Sequence, residues 1–204
     1  MRTIKNNGGT KSQNKCKHVV TTHFYDIINQ NLLFGKVEVI LKLKVYGCRG
    51  TMPTTRFAAS KYGSNTTCMT LEYDGQVLIL DAGSGLAQMD RFSRIFMRDD
   101  KPYNILLSHL HMDHIIGLTV FSEIWLEKAP VRIYTINRDE RPLKEQVLSP
   151  FNPPYWPVSM TRYGNVECIE LKYNQPFELD LFTITPFEPA HNDKASSFCI
   201  TCNG

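Results

Sequence analysis

Apolar and polar residues alternate near the start of the patterned chain, with Val37, Val39, Leu41, Leu43 and Val45 set against Glu38, Lys42 and Lys44. This period of two predicts a half-buried strand over 37–45. After a turn-rich stretch from Gly47 to Asn65, two strand-like runs, TCMTLEY and QVLIL, flank Asp74-Gly75, a dipeptide that strongly signals a tight hairpin. The period then changes. Leu86, Met89, Phe92, Ile95 and Phe96 recur at helical spacing, with Asp90, Arg91, Arg94 and Arg98 on the other face, which predicts a helix covering the sheet. NILLS, Asn104 to Ser108, is short and continuously apolar, the profile of a strand buried on both faces. A helical pattern over roughly 116–126, a strand at VRIYTI and a helix near 141–148 follow. SPFNPPYWP reads as a loop, and VECIEL, FELDLFTIT and SFCITC read as strands. With no internal repeat or linker, this order of elements points to one layered α/β or α+β domain.

Composition adds limits. A chain of 204 residues that is 42% hydrophobic and 21% charged can bury a sizeable core, so wholesale disorder is excluded. The net charge of +3 is too small to imply a polycationic role. It is concentrated in residues 1–40, where Arg2, Lys5, Lys11, Lys15, Lys17 and Lys36 face only Asp26 and Glu38. Residues 1–36 are therefore expected to form a basic, disordered extension, and 37–204 the folded domain. The segment Lys11 to Lys17 could touch RNA phosphates, with a merely solvated tail or a mis-called start upstream of the strand at Val37 as the alternatives. MRTIKNNGGTKSQNK lacks the apolar run of a secretory signal, and no segment approaches the roughly 20 apolar residues of a membrane span, so the expected location is cytoplasmic. Six cysteines in such a compartment are expected as free thiols, and the lone CxxC at Cys199 and Cys202 is weak evidence for metal or redox work.

The informative passage is Ser108-His109-Leu110-His111-Met112-Asp113-His114. With six His and ten Asp in the chain, the pattern HxHxDH should arise by chance on the order of 2 times in 10,000. His109 and His111 stand two apart in extended chain just past a buried strand, so they project to one side. Asp113 and His114 follow in the turn to the next helix. Imidazoles with a hard carboxylate suit a divalent ion of the zinc, manganese or iron kind, with a position left for water. The arrangement lacks the i, i+4 histidine pair of a helical zinc-protease motif, so the site is carried by a loop.

HLHMDH resembles the signature of the metallo-β-lactamase-fold hydrolases. GCRGTMPT (Gly47 to Thr54), YGSNTTC (Tyr62 to Cys68) and LILDAGSGL (Leu78 to Leu86) narrow the likeness to the branch of phosphoribosyl cyclic phosphodiesterases, close to the tRNA 3′-processing ribonucleases. The resemblance implies an αββα sandwich of two mixed β-sheets flanked by helices, with the site at one edge between the sheets. It implies one ion on His109, His111 and His191, a second on Asp113 and His114, and Asp81 orienting the ligand loop from behind. Zn2+ is the expected ion, one or two per chain, with Mn2+ or Fe2+ as alternatives. Two ligands of the family, a bridging aspartate and a final histidine, have no counterpart after His191, so the expected fold is incomplete at its C-terminal end and the isolated chain weakly active or inactive. The implied reaction is phosphodiester hydrolysis by metal-activated water, with Asp113 as general base. The substrate expected is a cyclic phosphate, a nucleotide or an RNA phosphodiester. Hydrolysis of a lactone, thioester or β-lactam is one alternative, and an inactive metal-binding protein another. Ser64, Asn65 and Thr66 either line the pocket or satisfy turn backbone. A second copy of the chain is a candidate partner.

Overall fold

The computed structural model describes residues 41–54, 61–89, 101–190 and 194–202. The 1–36 extension, residues 37–40 of the first predicted strand and the 90–100 part of the first predicted helix lie outside the described residues. Among the described residues, nine strands form two sheets. The larger takes β1 (Lys42–Gly47), β2 (Cys68–Tyr73), β3 (Gln76–Leu80), β4 (Tyr103–Leu106), β5 (Val131–Ile136) and β6 (Val166–Leu171) in that order. β1 to β3 run antiparallel and β3 to β6 parallel, so this sheet is mixed, as expected. The smaller holds β7 (Phe177–Leu179), β8 (Phe182–Phe187) and β9 (Ser197–Cys202), and its pairings among the described residues are antiparallel.

The two apolar faces of the larger sheet have different partners. Leu71, Leu78, Leu106 and Tyr134 meet Phe182, Ile184, Phe198 and Ile200 of the smaller sheet. Ile79, Ile105 and Ile133, on the opposite face, pack with Leu86, Ile115, Leu118, Ile124, Val147 and Leu148 of the helical segments. β4 lies between two parallel neighbours with every residue buried, as NILLS predicts.

The hairpin joins β2 to β3 at Asp74-Gly75, with Tyr73 opposite Gln76. Both turn residues have positive φ, 45° and 69°, which the right-handed strand twist favours in a two-residue turn. Gly75→Ala is expected to lower the unfolding free energy by about 1 kcal/mol, because Cβ is disfavoured at positive φ. Urea denaturation reads the loss.

Three predicted elements differ in detail. Leu41, just before β1, and Leu43 within it pack with the smaller sheet's apolar cluster, whereas Val45 is exposed, and the pairing with β2 shifts register after it, between Val45 and Gly47. The helix expected over 116–126 is broken into a 3₁₀ turn, Ile116–Val120, and α2, Ser122–Leu126, after α1, Met112–Ile115. Phe121 between them is extended, and the Thr119 hydroxyl donates to the Ile116 carbonyl, a local bond that competes with the helical ladder. FELDLFTIT is two strands, β7 and β8, because Asp180 turns the chain at φ 54°. α3, Leu143–Leu148, falls where a helix is expected. Ser84–Gln88 is a 3₁₀ turn whose Leu86 is buried in the helical layer.

Candidate metal centre

The histidine passage leaves the carboxyl end of β4, beside the carboxyl end of the parallel strand β3. Ligand sites in such sheets gather at this edge. Asp81 follows β3 and turns back through φ 57°, which brings its carboxylate under the loop that leaves β4. It is 1% exposed. Asp81 Oδ1 accepts from the Ser108 N–H at 2.8 Å, and the Ser108 hydroxyl lies 2.9 and 3.0 Å from its two oxygens. Asp81 Oδ2 is 2.8 Å from His114 Nδ1. A buried carboxylate is tolerated because three donors replace its water.

This network fixes the rings. The Ser108 hydroxyl donates to Asp81 and so accepts from His109 Nδ1, 3.0 Å away. His109 Nε2 then carries its lone pair and lies 2.9 Å from His111 Nδ1. His114 donates through Nδ1 to Asp81, and its Nε2 lies 3.6 Å from Asp113 Oδ2. The structure thus gathers four of the five expected metal-binding residues as two atom pairs, one on His109 and His111 and one on Asp113 and His114. The rings of His111 and His114 stand 4.4 and 4.1 Å from that of His109. The fifth, His191, lies outside the described residues. Among the described residues, no group of three or more His, Cys, Asp or Glu side chains is arranged to hold an ion.

Burial opposes charge on His114, but the hydrogen bond to Asp81 and the charges of Asp81 and Asp113 outweigh it, so the imidazole titrates above its ordinary value. In metal-free chain the charged pair adds stability below the ordinary histidine value of 6.5 and loses it as pH rises through the raised one. Urea midpoints of EDTA-treated protein are therefore expected to fall between about pH 6 and pH 8, and Asp81→Asn to flatten that slope.

Sequence reasoning missed two participants. Ser108 is the hub between Asp81, His109 and His114, and its only sequence signal is its place directly before the first histidine. Thr51 donates its backbone N–H to Asp113 Oδ2 at 2.8 Å, across 62 positions of sequence. Asn65 and Thr66 serve the turn instead of an open pocket: Thr66 and Ser84 exchange backbone and hydroxyl bonds, and Asn65 accepts from the Ser84 hydroxyl. Cys48, Cys68, Cys168 and Cys202 are free thiols. Burial, then the charge of Asp81, pushes the Cys68 thiol up, away from reactivity. No helix among the described residues is long and apolar enough to cross a membrane.

The model of a family described as anti-Pycsar protein Apyc1 matches residues 51–204. A curated relative, ribonuclease Z of Natronomonas pharaonis, is 23% identical over 164 residues, covering 78% of this chain and 47% of its own length. The chain spans about half the length of this relative. Among solved structures, the metallo-β-lactamase fold protein YhfI of Bacillus subtilis superposes with a TM-score of 0.54 at 20% identity, covering 79% of this chain and 58% of that one. Zn(2+)-bound PqqB of Methylobacterium extorquens does so with a TM-score of 0.53 at 15% identity, covering 79% and 59%. The fold is that of the metallo-β-lactamase proteins, with the smaller sheet and the helical segments on opposite faces of the larger sheet.

Proposed function

Because the chain belongs to the anti-Pycsar protein Apyc1 family, we propose that it is the metal-binding part of a hydrolase that cleaves phosphodiesters, whether a cyclic phosphate, a nucleotide or an RNA linkage. The observation that carries this reading is the set of two donor pairs at the edge of β3 and β4, with the rings behind them held by Asp81 and Ser108. Two nitrogens each about 2.0–2.1 Å from one tetrahedral zinc stand about 3.3 Å apart. The pairs here, at 2.9 and 3.6 Å, lie on either side of that value. His109 and His111, with His191 as third donor, would hold one divalent ion, and Asp113 with His114 would hold another. Zinc fits this donor set, and manganese or iron are its alternatives. A bound ion of this kind brings the pKa of a water towards neutrality and offsets charge on phosphoryl oxygens.

The chain's own residues do the rest. His114 is oriented by Asp81 through Nδ1, so that Nε2 faces the site. His109 is oriented by Ser108 in the same way. Asp113 would take a proton from the attacking water as general base. Relatives named ribonuclease Z support an RNA or nucleotide substrate.

The test compares substrates on one preparation. With added Zn2+ or Mn2+, the weak turnover expected of the isolated chain is expected to be more than about tenfold faster on bis(p-nitrophenyl) phosphate and a 2′,3′-cyclic nucleotide than on a simple lactone, and EDTA to abolish the difference. His109→Ala/His111→Ala is expected to lower zinc uptake, read by elemental analysis, with the fold retained. Faster lactone opening, or zinc uptake unchanged in the double variant, would overturn the reading.

A further inference from the structure

We propose that Thr51 is a positioning residue, whose backbone N–H, presented by a strained turn, holds the Asp113 carboxylate in the orientation in which it meets a cation. The inference rests on the hydrolase reading above and names a participant outside the histidine motif. Thr51 has φ 69°, a rare conformation for a β-branched residue. The Met52 N–H donates to the Gly50 carbonyl at 2.9 Å, closing a three-residue turn centred on Thr51. A γ-turn with positive φ is the rarer and more strained of the two forms. Such strain persists only where the surroundings impose it.

Here they do so from both sides. The Arg49 N–H donates to the Asn65 carbonyl at 3.1 Å, and the Thr54 N–H to the Ser64 carbonyl at 3.0 Å. The Thr67 hydroxyl also reaches the Arg49 carbonyl, at 3.5 Å. The loop is thus clamped before and after the turn, and the turn itself directs one N–H at Asp113 Oδ2, 2.8 Å away. A backbone donor to a carboxylate is a strong, directional hydrogen bond. The same oxygen faces His114 Nε2 at 3.6 Å, so Thr51 acts on the atom that completes the Asp113–His114 pair. The threonine side chain has no part in this, and the requirement is a backbone N–H at positive φ.

The test reads the contact and its consequence separately. By NMR on isotope-labelled chain, the Thr51 amide is expected to exchange with solvent about tenfold faster in Asp113→Ala than in the parent, and at an unchanged rate in Asp113→Asn, which keeps an acceptor oxygen. Thr51→Gly keeps the N–H and accepts positive φ, so its zinc affinity is expected to stay within about threefold of the parent. Thr51→Pro lacks the N–H and fixes φ at about −65°, so its zinc affinity is expected to fall about tenfold or more. Unchanged amide exchange in Asp113→Ala overturns the proposal, as does parental zinc affinity in a folded Thr51→Pro. Where Thr51→Pro does not fold, the exchange comparison decides alone. A parent chain that takes up no zinc would sink the hydrolase reading, and the exchange comparison would then decide whether Thr51 holds Asp113.

Discussion

Asp81→Ala is expected to destabilise the chain by about 4 kcal/mol, measured by urea unfolding of the metal-free protein. Asp81 is 1% exposed and takes hydrogen bonds from the Ser108 backbone, the Ser108 hydroxyl and His114 Nδ1. Alanine leaves these buried donors without their acceptor, at about 1–3 kcal/mol for each that water cannot reach. The Ser108 hydroxyl can rotate elsewhere, so its share is the smallest. Alanine also inherits φ 57°, a conformation disfavoured by about 1 kcal/mol for a residue with Cβ. Asp81→Gly removes that last contribution and is expected to be about 1 kcal/mol less damaging than Asp81→Ala. Zinc affinity should fall about 10- to 100-fold in both variants, since losing the partner of a ligating imidazole frees its ring. A loss of stability below about 1 kcal/mol would show that Asp81 does not organise the loop.

The part of this site legible in the sequence is the part that is local. HxHxDH lies within six residues, and the buried strand before it announces itself as an apolar run, so the placement of His109 and His111 at a strand's end follows from period and burial alone. The Asp74-Gly75 hairpin is local in the same sense. The supports behind the histidines are not. Asp81 meets Ser108 across 27 positions and Thr51 meets Asp113 across 62, contacts that no spacing rule encodes. The family likeness supplied Asp81 but neither Ser108 nor Thr51. The broken helix after Ile115 has a different origin. Its apolar spacing is helical, yet tertiary contacts around Gly117 and the extended Phe121 override that local preference. FELDLFTIT reads as one strand because apolar residues flank Asp180 on both sides, and only a positive φ at that aspartate divides it.

Gly117→Ala is expected to damage the candidate site from beneath, with a stability loss of about 3 kcal/mol in urea unfolding. The Gly117 N–H donates to the Ala82 carbonyl at 2.8 Å, and the Ala82 N–H donates to the His114 carbonyl at 2.8 Å. These reciprocal bonds press the 3₁₀ turn after α1 onto the chain directly behind Asp81. A Cβ on residue 117 would collide with the Gly83 carbonyl and meet the Ala82 carbonyl at 2.8 Å. Both are backbone atoms, so no side-chain rotation relieves the overlap. The turn must lift, and the two backbone bonds lengthen with it. His114 and Asp113 ride on the helix that precedes this turn, so the displacement should pull His114 Nδ1 away from Asp81 Oδ2. The expected signature separates this substitution from ordinary overpacking of the core. In Gly117→Ala the decline of urea midpoint between about pH 6 and pH 8 should flatten as it does in Asp81→Asn, because both lose the same ion pair. Ile105→Ala, a cavity in the central strand well removed from that pair, is expected to lose about 2–5 kcal/mol yet keep the slope. A parental slope in Gly117→Ala, equal to that of Ile105→Ala, would mean that Gly117 serves packing alone.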